Sequence, residues 1–580
     1  MVKVVLMPSS MTKHMGTVNM SDHSSDPRVL IIAPEIFCLP KAKDNHYQFI
    51  NAKAGGLSDV STALIIALNN QGVDVHIALP DYRHIFNGHL RTAVEESLHY
   101  FGSCVPNDRI HLARDKAIFH HNRIYSCDGT DKIKFSIAFQ REVMNNIIPM
   151  VQPDLIHCND WITGLIPAMA RQLGIPCLFT FHNIHTEKTT LAEIEDRGID
   201  AAFFWQNLFY DYFPSSYENS RQSNPVDFLS SGVFAAHFVN TVSPTFLMEM
   251  VDGQHGFVKR SFQQEVSNKI RDGCAVGILN TPDPSYDPSI DEALVCTYSA
   301  ANHLSGKKTN KLALQKILNL KQDVQAPIFF WPSRLDPIQK GCQLFAEILY
   351  KIVHNYREQK LQIVFIADGE FRRHFKDIVG FHNLSDRVAL CSFNERLARL
   401  AYGASDFILM PSSFEPCGLV QMIGSIYGAL PVAHDTGGIH DTVIHLDTDG
   451  NTGNGFLFKT FDSNGLYWAI GQAMQFYMLP VRVREQQISR IMMQSNSKFS
   501  YDVTAQRYVD LYEKMLKRPL IGQKAYAQDG KTKKHRKKTH SEQNHLDPIP
   551  TMPFADFFKH SNLEIYQKKG GSHGTAGHQL

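Results

Sequence analysis

The 580-residue chain has little of what would mark a membrane protein, a secreted protein or a nucleic-acid-binding protein. No apolar run reaches the ~18 residues that a membrane-spanning helix needs. The ten cysteines include no Cys-x-x-Cys pair and no Cys/His spacing typical of zinc, so we interpret them as reduced cytosolic thiols. Basic and acidic residues balance at 58 and 57, so no global field directs the protein to nucleic acid or to a membrane.

The two ends of the chain differ in composition from its centre. Residues 1–27 are rich in Ser, Met and Thr, and their apolar stretch is too short to predict a signal peptide. We predict a disordered leader there and a cytoplasmic protein, with organelle targeting by the leader left open. From about 521 the chain is polar, with a basic cluster at 531–538, and we predict a disordered tail.

Between these ends, strand-like and helix-like apolar patterns alternate, as expected for α/β domains. A strand at 28–35, an amphipathic helix over 57–68 and a strand at 73–79 form the first such unit. Further strands are predicted at 155–156, 176–181, 237–242, 327–331, 361–366, 388–391, 406–410 and 430–433. We therefore predict two doubly wound, Rossmann-like domains that face a cleft. The predicted segments are a leader at 1–27, domains at 28–285 and 286–495, a helical segment at 496–520 and a tail at 521–580.

The most informative stretch is 412–421, which follows the predicted strand at 406–410. Glu415 lies at the end of that strand, just before a predicted helix with apolar residues at i, i+3, i+4 and i+7 from Leu419. The free amides of a helix N-terminus favour anions, and Pro416 suits the first helical turn. A carboxylate beside such amides indicates a site that handles a sugar and a diphosphate together.

Three other motifs follow predicted strands. Lys53 precedes the glycine pair Gly55 and Gly56, Arg334 and Lys340 flank one loop, and a second glycine pair follows the strand at 430–433. Paired glycines let the backbone approach an anion, and two cations suit a diphosphate leaving group. Taken alone, the first motif is equally a glycine-rich turn and the second an ordinary basic loop. Because ligands bind at the carboxyl ends of strands in open α/β sheets, we expect these motifs to meet.

Together these motifs resemble those of the bacterial glycogen synthase and plant starch synthase family, retaining glucosyltransferases of the GT-B type. The matching pieces are Lys-Ala-Gly-Gly-Leu at 53–57, His-Cys-Asn-Asp-Trp at 157–161, Phe-His-Asn at 181–183, Thr-Val-Ser-Pro at 241–244, Gly-Ile-Leu-Asn at 277–280, Ser-Arg-Leu at 333–335, Gln-Lys-Gly at 339–341, Phe-Glu-Pro-Cys-Gly-Leu at 414–419 and Thr-Gly-Gly at 436–438. They occur in family order, and the resemblance covers about 28–517.

The resemblance implies transfer of glucose from ADP-glucose, or UDP-glucose, to the non-reducing end of an α-1,4-glucan with retention. It implies no metal or other cofactor, and a last helix that crosses back to the N-terminal domain. The balanced charge and the lack of long apolar runs predict neither a membrane nor a nucleic-acid partner. The implied catalytic residues are Glu415, Arg334 and Lys340. The implied donor contacts are Lys53, Gly55, Gly56, Cys417, Gly418, Leu419, Thr436, Gly437 and Gly438. The implied sugar-binding wall of the N-terminal domain is Asp160, His182, Asn183 and Asn280.

The chain departs from the family pattern at three places. Ile162 stands where the family often has a histidine that contacts the donor sugar, and isoleucine cannot form a hydrogen bond. Arg334 and Lys340 are six positions apart (340 − 334 = 6), where the family usually shows five, and Pro337 marks a one-residue insertion. The sequence Asn-Thr-Pro-Asp at 280–283 replaces the usual Asn-Gly-Ile-Asp.

These departures keep two alternatives open. One is a related GT-B glucosyltransferase with a small sugar or a sugar phosphate as acceptor, because a fold alone does not identify the acceptor. The other is a catalytically weak glucan-binding protein, suggested by Ile162 and by the polar tail. The presence of Lys53, Arg334, Lys340 and Glu415 argues for the active enzyme.

Overall fold

A computed structural model describes residues 26–34, 57–81, 99, 101–116, 118 and 130–521. The leader predicted at 1–27 and the tail predicted at 521–580 lie almost entirely outside these ranges. No helix within them is both long and apolar enough to cross a bilayer. The eight cysteines in the described ranges are free thiols, and burial raises the pKa of Cys177 to about 12.

The first sheet has seven parallel strands in the order β3-β2-β1-β4-β5-β8-β9. Its strands are β1 (Arg28–Ile32), β2 (Asp74–Pro80), β3 (Ile110–Ala113), β4 (Leu155–Asn159), β5 (Cys177–Phe181), β8 (Phe238–Thr241) and β9 (Ala275–Gly277). A small antiparallel pair, β6 (Lys188–Thr189) with β7 (Val226–Asp227), lies between β5 and β8 in the chain. The central strands are buried along their length, as parallel sheets covered on both faces require.

The second sheet has six parallel strands in the order β12-β11-β10-β13-β14-β15. Its strands are β10 (Ile328–Trp331), β11 (Gln362–Ile366), β12 (Val388–Cys391), β13 (Phe407–Met410), β14 (Leu430–His434) and β15 (Phe456–Phe458). This is the Rossmann order. The chain builds β10, β11 and β12 toward one edge of the sheet, and then returns to the centre and builds β13, β14 and β15 toward the other edge. The loops that follow β10 and β13 therefore open on the crevice where such sheets bind ligands.

Helices separate most of the strands, and the predicted fold class is confirmed. The α-helices in the described ranges are Leu57–Asn70, Thr130–Glu142, Ile148–Val151, Ile166–Gln172, Leu191–Asp196, Tyr217–Ser223, Phe228–Ala235, Pro244–Val251, Arg260–Arg271, His303–Ile317, Cys342–Asn355, Arg372–Phe381, Glu395–Ala404, Val420–Ile426, Gly437–Thr442, Ser463–Tyr477, Val481–Lys498 and Tyr501–Leu516. The domain limits proposed from the sequence stay predictions.

Five strands were not predicted: the two-residue strands β6 and β7, and three short edge strands of the two large sheets. β3 and β9 end the first sheet and β15 ends the second, with four, three and three residues. β12 is also a four-residue edge strand, and its apolar run Val-Ala-Leu-Cys was predicted, whereas β3 includes a histidine and β9 ends on a glycine.

The last helix, Tyr501–Leu516, packs on the first sheet rather than on the second. The phenol of Tyr512 lies 2.7 Å from His157 Nδ1, and Asn240 Nδ2 donates to the Tyr508 hydroxyl at 2.9 Å. His157 and Asn240 belong to β4 and β8 of the first sheet. The predicted crossing helix is confirmed, since it follows the second sheet in the chain and returns to the first.

His157 should make the fold sensitive to acid. Burial lowers the pKa of His157 to about 3, so the folded protein keeps this imidazole neutral where the unfolded chain protonates it near pH 6.5. The unfolded state binds more protons below pH 6.5, so stability falls as pH falls. Between pH 6.5 and 4.5 this one group should cost about 2 kcal/mol.

Urea unfolding at pH 7.5, 6.5, 5.5 and 4.5 checks this prediction. The free energy of unfolding of His157→Gln should fall less steeply with decreasing pH, by the equivalent of about one proton. His354→Gln, at an exposed helix position, should match wild type. Equal slopes for wild type and His157→Gln would contradict the assignment.

Candidate active site

Two loops meet at the crevice of the second sheet, the loop after β10 and the loop after β13. The amide of Ser413 donates to the carbonyl of Gln339 at 2.8 Å, and Gln339 Nε2 donates to the Phe414 carbonyl at 3.3 Å. Gly341 has φ +66°, and a Cβ there would lie 1.9 Å from the Pro411 carbonyl oxygen. Only glycine lets the two backbones approach this closely.

Gly341→Ala should therefore be strongly destabilising. Alanine would add left-handed strain and a clash with backbone that cannot rotate away, for an expected loss of about 2–4 kcal/mol. Gly174 is a matched control because it has φ +68° and a Cβ added there would have nothing within 4 Å. Gly174→Ala should cost only the strain, about 1 kcal/mol. Denaturant unfolding measures both, and equal costs would show that the contact with Pro411 is unimportant.

The centre of the candidate site is an ion pair between Lys340 and Glu415. Lys340 Nζ donates to Glu415 Oε2 at 2.6 Å, and the two side chains are 12% and 10% exposed. The loop that carries Lys340 turns on Asp336, whose Oδ1 accepts from the amides of Ile338 and Gln339 at 2.8 and 2.9 Å. The longer spacing between Arg334 and Lys340 is thus absorbed by a turn, and Lys340 still reaches Glu415.

Asp336 places a carboxylate beside the two cations of this loop, Arg334 and Lys340. Burial alone would raise the pKa of Asp336, but the two amide hydrogen bonds and the nearby charges of Arg334 and Lys340 outweigh it and lower the pKa. Arg334 itself is exposed, and none of the carboxylates in the described ranges lies within ion-pair distance of its guanidinium. Lys340 is paired with Glu415, and Arg334 is exposed to an external anion.

On the opposite side, the loops after β4 and β5 bring Asp160 and His182 together. The Asp160 carboxylate accepts from the His182 amide at 2.7 Å, and His182 Nε2 lies 3.0 Å from Asn159 Oδ1. Asn280 Nδ2 lies 3.5 Å from His182 Nδ1, and the Asn280 carbonyl accepts from Cys417 Sγ at 3.8 Å. This row of side chains joins the edge of the first sheet to the Glu415 loop.

The groups in this row are desolvated and partly strained. Burial raises the pKa of Asp160 to about 7 although the amides of His182 and Asn183 oppose it, and burial lowers the pKa of His182 to about 4. Asp160 has φ +57° and ψ 175°, a conformation that costs about 1–3 kcal/mol and clusters at functional sites. The buried Oδ1 of Asn280 has no partner among the described residues and can accept from a ligand hydroxyl.

Asn183 and Ile162, the remaining positions considered on this side, differ in their exposure. Asn183 is exposed, and its Oδ1 accepts from the His185 amide at 2.8 Å. Ile162 is 1% exposed and packs in the core of the first sheet. It therefore lies within the protein interior, and the hydrogen bond expected of the family's histidine is not supplied there.

The helix after Glu415 begins later than predicted. It spans Val420–Ile426, so Pro416 lies in the preceding loop, and its predicted place in the first helical turn is wrong. Gly418 has φ +71°, which a right-handed helix cannot contain, so the helix cannot start before Leu419. Cys417 is buried in this loop, and burial raises the pKa of its thiol to about 12.

The segment Thr436, Gly437 and Gly438 has its donors bonded within the protein. The Gly437 amide donates to Glu249 Oε1 at 2.8 Å, the Thr436 hydroxyl lies 3.2 Å from both oxygens of the same carboxylate, and the Gly438 amide donates to the Glu415 carbonyl at 2.9 Å. Sequence reasoning missed Glu249, which lies in the helix that follows the Thr-Val-Ser-Pro motif. Its position in the helix that follows this motif is the signal in the sequence that could have indicated Glu249. The role of 436–438 as donor contacts stays a prediction.

Lys53, Gly55 and Gly56 lie outside the described residues, so their predicted contacts with the donor also stay predictions. The structure brings together Lys340, Glu415 and Cys417 from the second sheet with His182 and Asn280 from the first.

Comparison with known proteins agrees with this architecture. The family model "Starch synthase catalytic domain" matches residues 28–261, and "Glycosyl transferases group 1" matches 326–475. A glycogen synthase from Acholeplasma laidlawii is 30% identical over 498 residues, which are 83% of this chain and 98% of that protein. A glycogen synthase from Syntrophotalea carbinolica is 31% identical, with 80% and 96% covered. Among solved structures, the catalytic domain of starch synthase IV from Arabidopsis thaliana, bound to ADP and acarbose, matches with TM-score 0.67 and 25% identity, covering 85% of this chain and 100% of that one.

Two Rossmann-like sheets with a cation–carboxylate site at the crevice define a glycosyltransferase of the GT-B type. With near-complete coverage of curated relatives at 30% identity, the chain belongs to the glycogen synthase family.

Proposed function

We propose that the protein transfers glucose from a nucleoside diphosphate glucose to the non-reducing end of an α-1,4-glucan, with retention of configuration. The observation that carries this proposal is the buried pair of Lys340 and Glu415 at the crevice of the Rossmann-ordered sheet. ADP-glucose is the preferred donor and UDP-glucose the alternative. The preference is supported by the ADP bound to the starch synthase IV relative.

The chemistry follows from where charge develops. As the bond between the anomeric carbon and the diphosphate oxygen breaks, negative charge grows on the diphosphate, and Arg334 and Lys340 neutralise it without reorganising. Positive charge grows at the anomeric carbon, and Glu415 stabilises it while holding the glucose hydroxyls. The acceptor O4 attacks from the face that the diphosphate leaves, which retains configuration, and the departing diphosphate takes the O4 proton.

The opposite wall would hold the sugar and exclude water. Asp160, His182, Asn183 and Asn280 are proposed to line the sugar, and Lys53 with Gly55 and Gly56 to meet the donor phosphates. Cys417, Gly418 and Leu419 would add backbone contacts, with Thr436 to Gly438 behind them. Water exclusion matters because water would otherwise accept the glucose.

We propose further that the reaction needs no metal or other cofactor, because Arg334 and Lys340 would supply two cations to the leaving group. Rates that persist after dialysis against EDTA would support this statement.

We also propose a cytoplasmic location, which the buried free thiols of Cys158 and Cys177 support.

One assay tests the activity and the donor. Purified protein is incubated with glycogen and with radiolabelled ADP-glucose or UDP-glucose, and label in precipitated glucan is counted. Incorporation from at least one donor is expected. In parallel, glucose 1-phosphate and free glucose replace glycogen, and transfer to these alone would favour the small-acceptor alternative. No turnover of either donor with any acceptor would refute the proposal.

A further inference from the structure

Glu249 is buried where the two halves of the molecule meet, and it belongs to the half that does not carry Glu415. It lies in the helix Pro244–Val251, which follows the first-sheet strand β8. Its carboxylate accepts from the Gly437 amide at 2.8 Å and lies 3.2 Å from the Thr436 hydroxyl and 3.1 Å from His255 Nε2. Glu249 is 7% exposed, so these contacts replace its solvation.

The glycine pair that Glu249 holds lies directly on the backbone of the Glu415 loop. The Gly438 amide donates to the Glu415 carbonyl at 2.9 Å. A Cβ at Gly437 would lie 2.1 Å from that carbonyl oxygen, and one at Gly438 would lie 1.9 Å from the Cys417 carbonyl oxygen. With no room between the two segments, a displacement of the glycine pair must displace Glu415.

The partner of Glu249 holds the same loop from its other end. The ring of His255 lies 5.8 Å from that of Phe414, and the ring of Phe257 lies 4.4 Å from it. Phe414 immediately precedes Glu415. The loop that bears the proposed catalytic carboxylate is therefore held by residues of the first half on both sides.

A reciprocal contact fixes the register of the two helices. Asp441, in the helix Gly437–Thr442, accepts from the Ser243 hydroxyl and from Thr245 Oγ1, the latter at 2.6 Å. Ser243 caps the helix that carries Glu249, since its hydroxyl accepts from the Phe246 amide at 2.8 Å. Each helix thus sends a carboxylate to the start of the other.

We infer that Glu249 is a positioning residue that fixes Glu415 through the pair Gly437 and Gly438. This inference rests on the proposed glucosyl transfer for its kinetic consequence, but not for its structural one. Glu249 touches neither donor nor acceptor in this role. Its effect is confined to the geometry of the Glu415 loop, which matters most in the transition state.

The test compares Glu249→Ala, Glu249→Gln and Asp227→Ala. Glutamine can still accept from Gly437 and Thr436, whereas alanine cannot. Asp227 is the control because it is a buried carboxylate of the same half that caps a helix by accepting from the Ser230 amide at 3.0 Å. Thermal unfolding of each full-length variant establishes that it is folded and how much stability it has lost.

Amide hydrogen exchange in peptides covering 412–421 is the first readout. Exchange should be about tenfold faster in Glu249→Ala and unchanged within about twofold in the other two variants. The second readout is kinetic. Glu249→Ala should lower kcat about 100-fold with KM for the donor within about threefold, and Glu249→Gln should restore most of kcat.

Wild-type exchange over 412–421 in Glu249→Ala would overturn the inference, as would an equal loss of kcat in Asp227→Ala, which would show a general effect of stability. An inactive wild type would refute the proposed function instead, and the exchange comparison would still decide the role of Glu249.

Discussion

Glu415→Ala is expected to lower kcat for glucosyl transfer about 100- to 1,000-fold, the range seen when one preorganised charge-stabilising group is removed. The carboxylate lies 2.6 Å from Lys340 Nζ in a site where both side chains are nearly buried. Its removal takes away the group that faces the developing positive charge. It also leaves the Lys340 ammonium without its carboxylate, free to change position relative to the leaving group. Initial rates with donor and glycogen measure the effect.

Two further variants separate charge from fold. Glu415→Gln keeps the shape of the side chain and an acceptor for Lys340 Nζ, so it should lose a similar fraction of kcat while losing less thermal stability than Glu415→Ala. Glu358→Ala, at an exposed position of the same half, should match wild type in both respects. A Glu415→Ala enzyme that keeps more than about a tenth of the wild-type kcat would contradict the assigned role.

Asp406→Ala should have the largest effect on stability, about 3–5 kcal/mol, the usual cost of removing one partner from a buried ion pair. Asp406 precedes β13, and its Oδ2 accepts from Lys311 Nζ at 2.6 Å and from the Ile328 amide at 2.8 Å. Burial alone would lower the pKa of Lys311, but Asp406 and the Tyr477 hydroxyl together outweigh burial and raise it. Without Asp406, a side chain that is 4% exposed must hold an unpaired charge or give up its proton.

The surface pair of Lys360 and Asp323 provides the control. Its N···O distance is also 2.6 Å, but the lysine side chain is 49% exposed, so Lys360→Ala should cost no more than about 1 kcal/mol. A double variant with Lys311→Met and Asp406→Asn removes both charges and should recover much of the loss. Urea unfolding at pH 7 measures all three variants. Equal losses of unfolding free energy in Asp406→Ala and Lys360→Ala would show that burial does not increase the contribution of an ion pair to stability.

The pair of Lys311 and Asp406 also bears on the site. Asp406 joins the start of β10, through Ile328, to the start of β13. These two strands carry the loops of Lys340 and Glu415 at their other ends. Without the Asp406 carboxylate, the starts of β10 and β13 are no longer joined in this way. We therefore expect the crevice between their loops to widen as the stability falls.

Much of the site followed from local sequence alone. Parallel α/β order places strand carboxyl ends along one edge, and that rule predicted that the loops of Lys340 and Glu415 would meet. The buried strands are continuous apolar runs of four or five residues, so their positions were readable, and the helix Tyr501–Leu516 lies within the helical segment predicted at 496–520. The edge strands β3, β9 and β15 were not predicted; each has three or four residues and a single neighbouring strand.

The sequence by itself determined the two doubly wound sheets, the family and the meeting of the Lys340 and Glu415 loops, because periodicity and strand-end motifs are local properties of the chain. Only the tertiary structure decided that Lys340 pairs with Glu415, that Ile162 is buried, and that Glu249 accepts from Gly437 across the two halves. Such contacts join residues 75 and 188 positions apart. They depend on how whole helices and loops pack together, and no spacing in the chain records that packing.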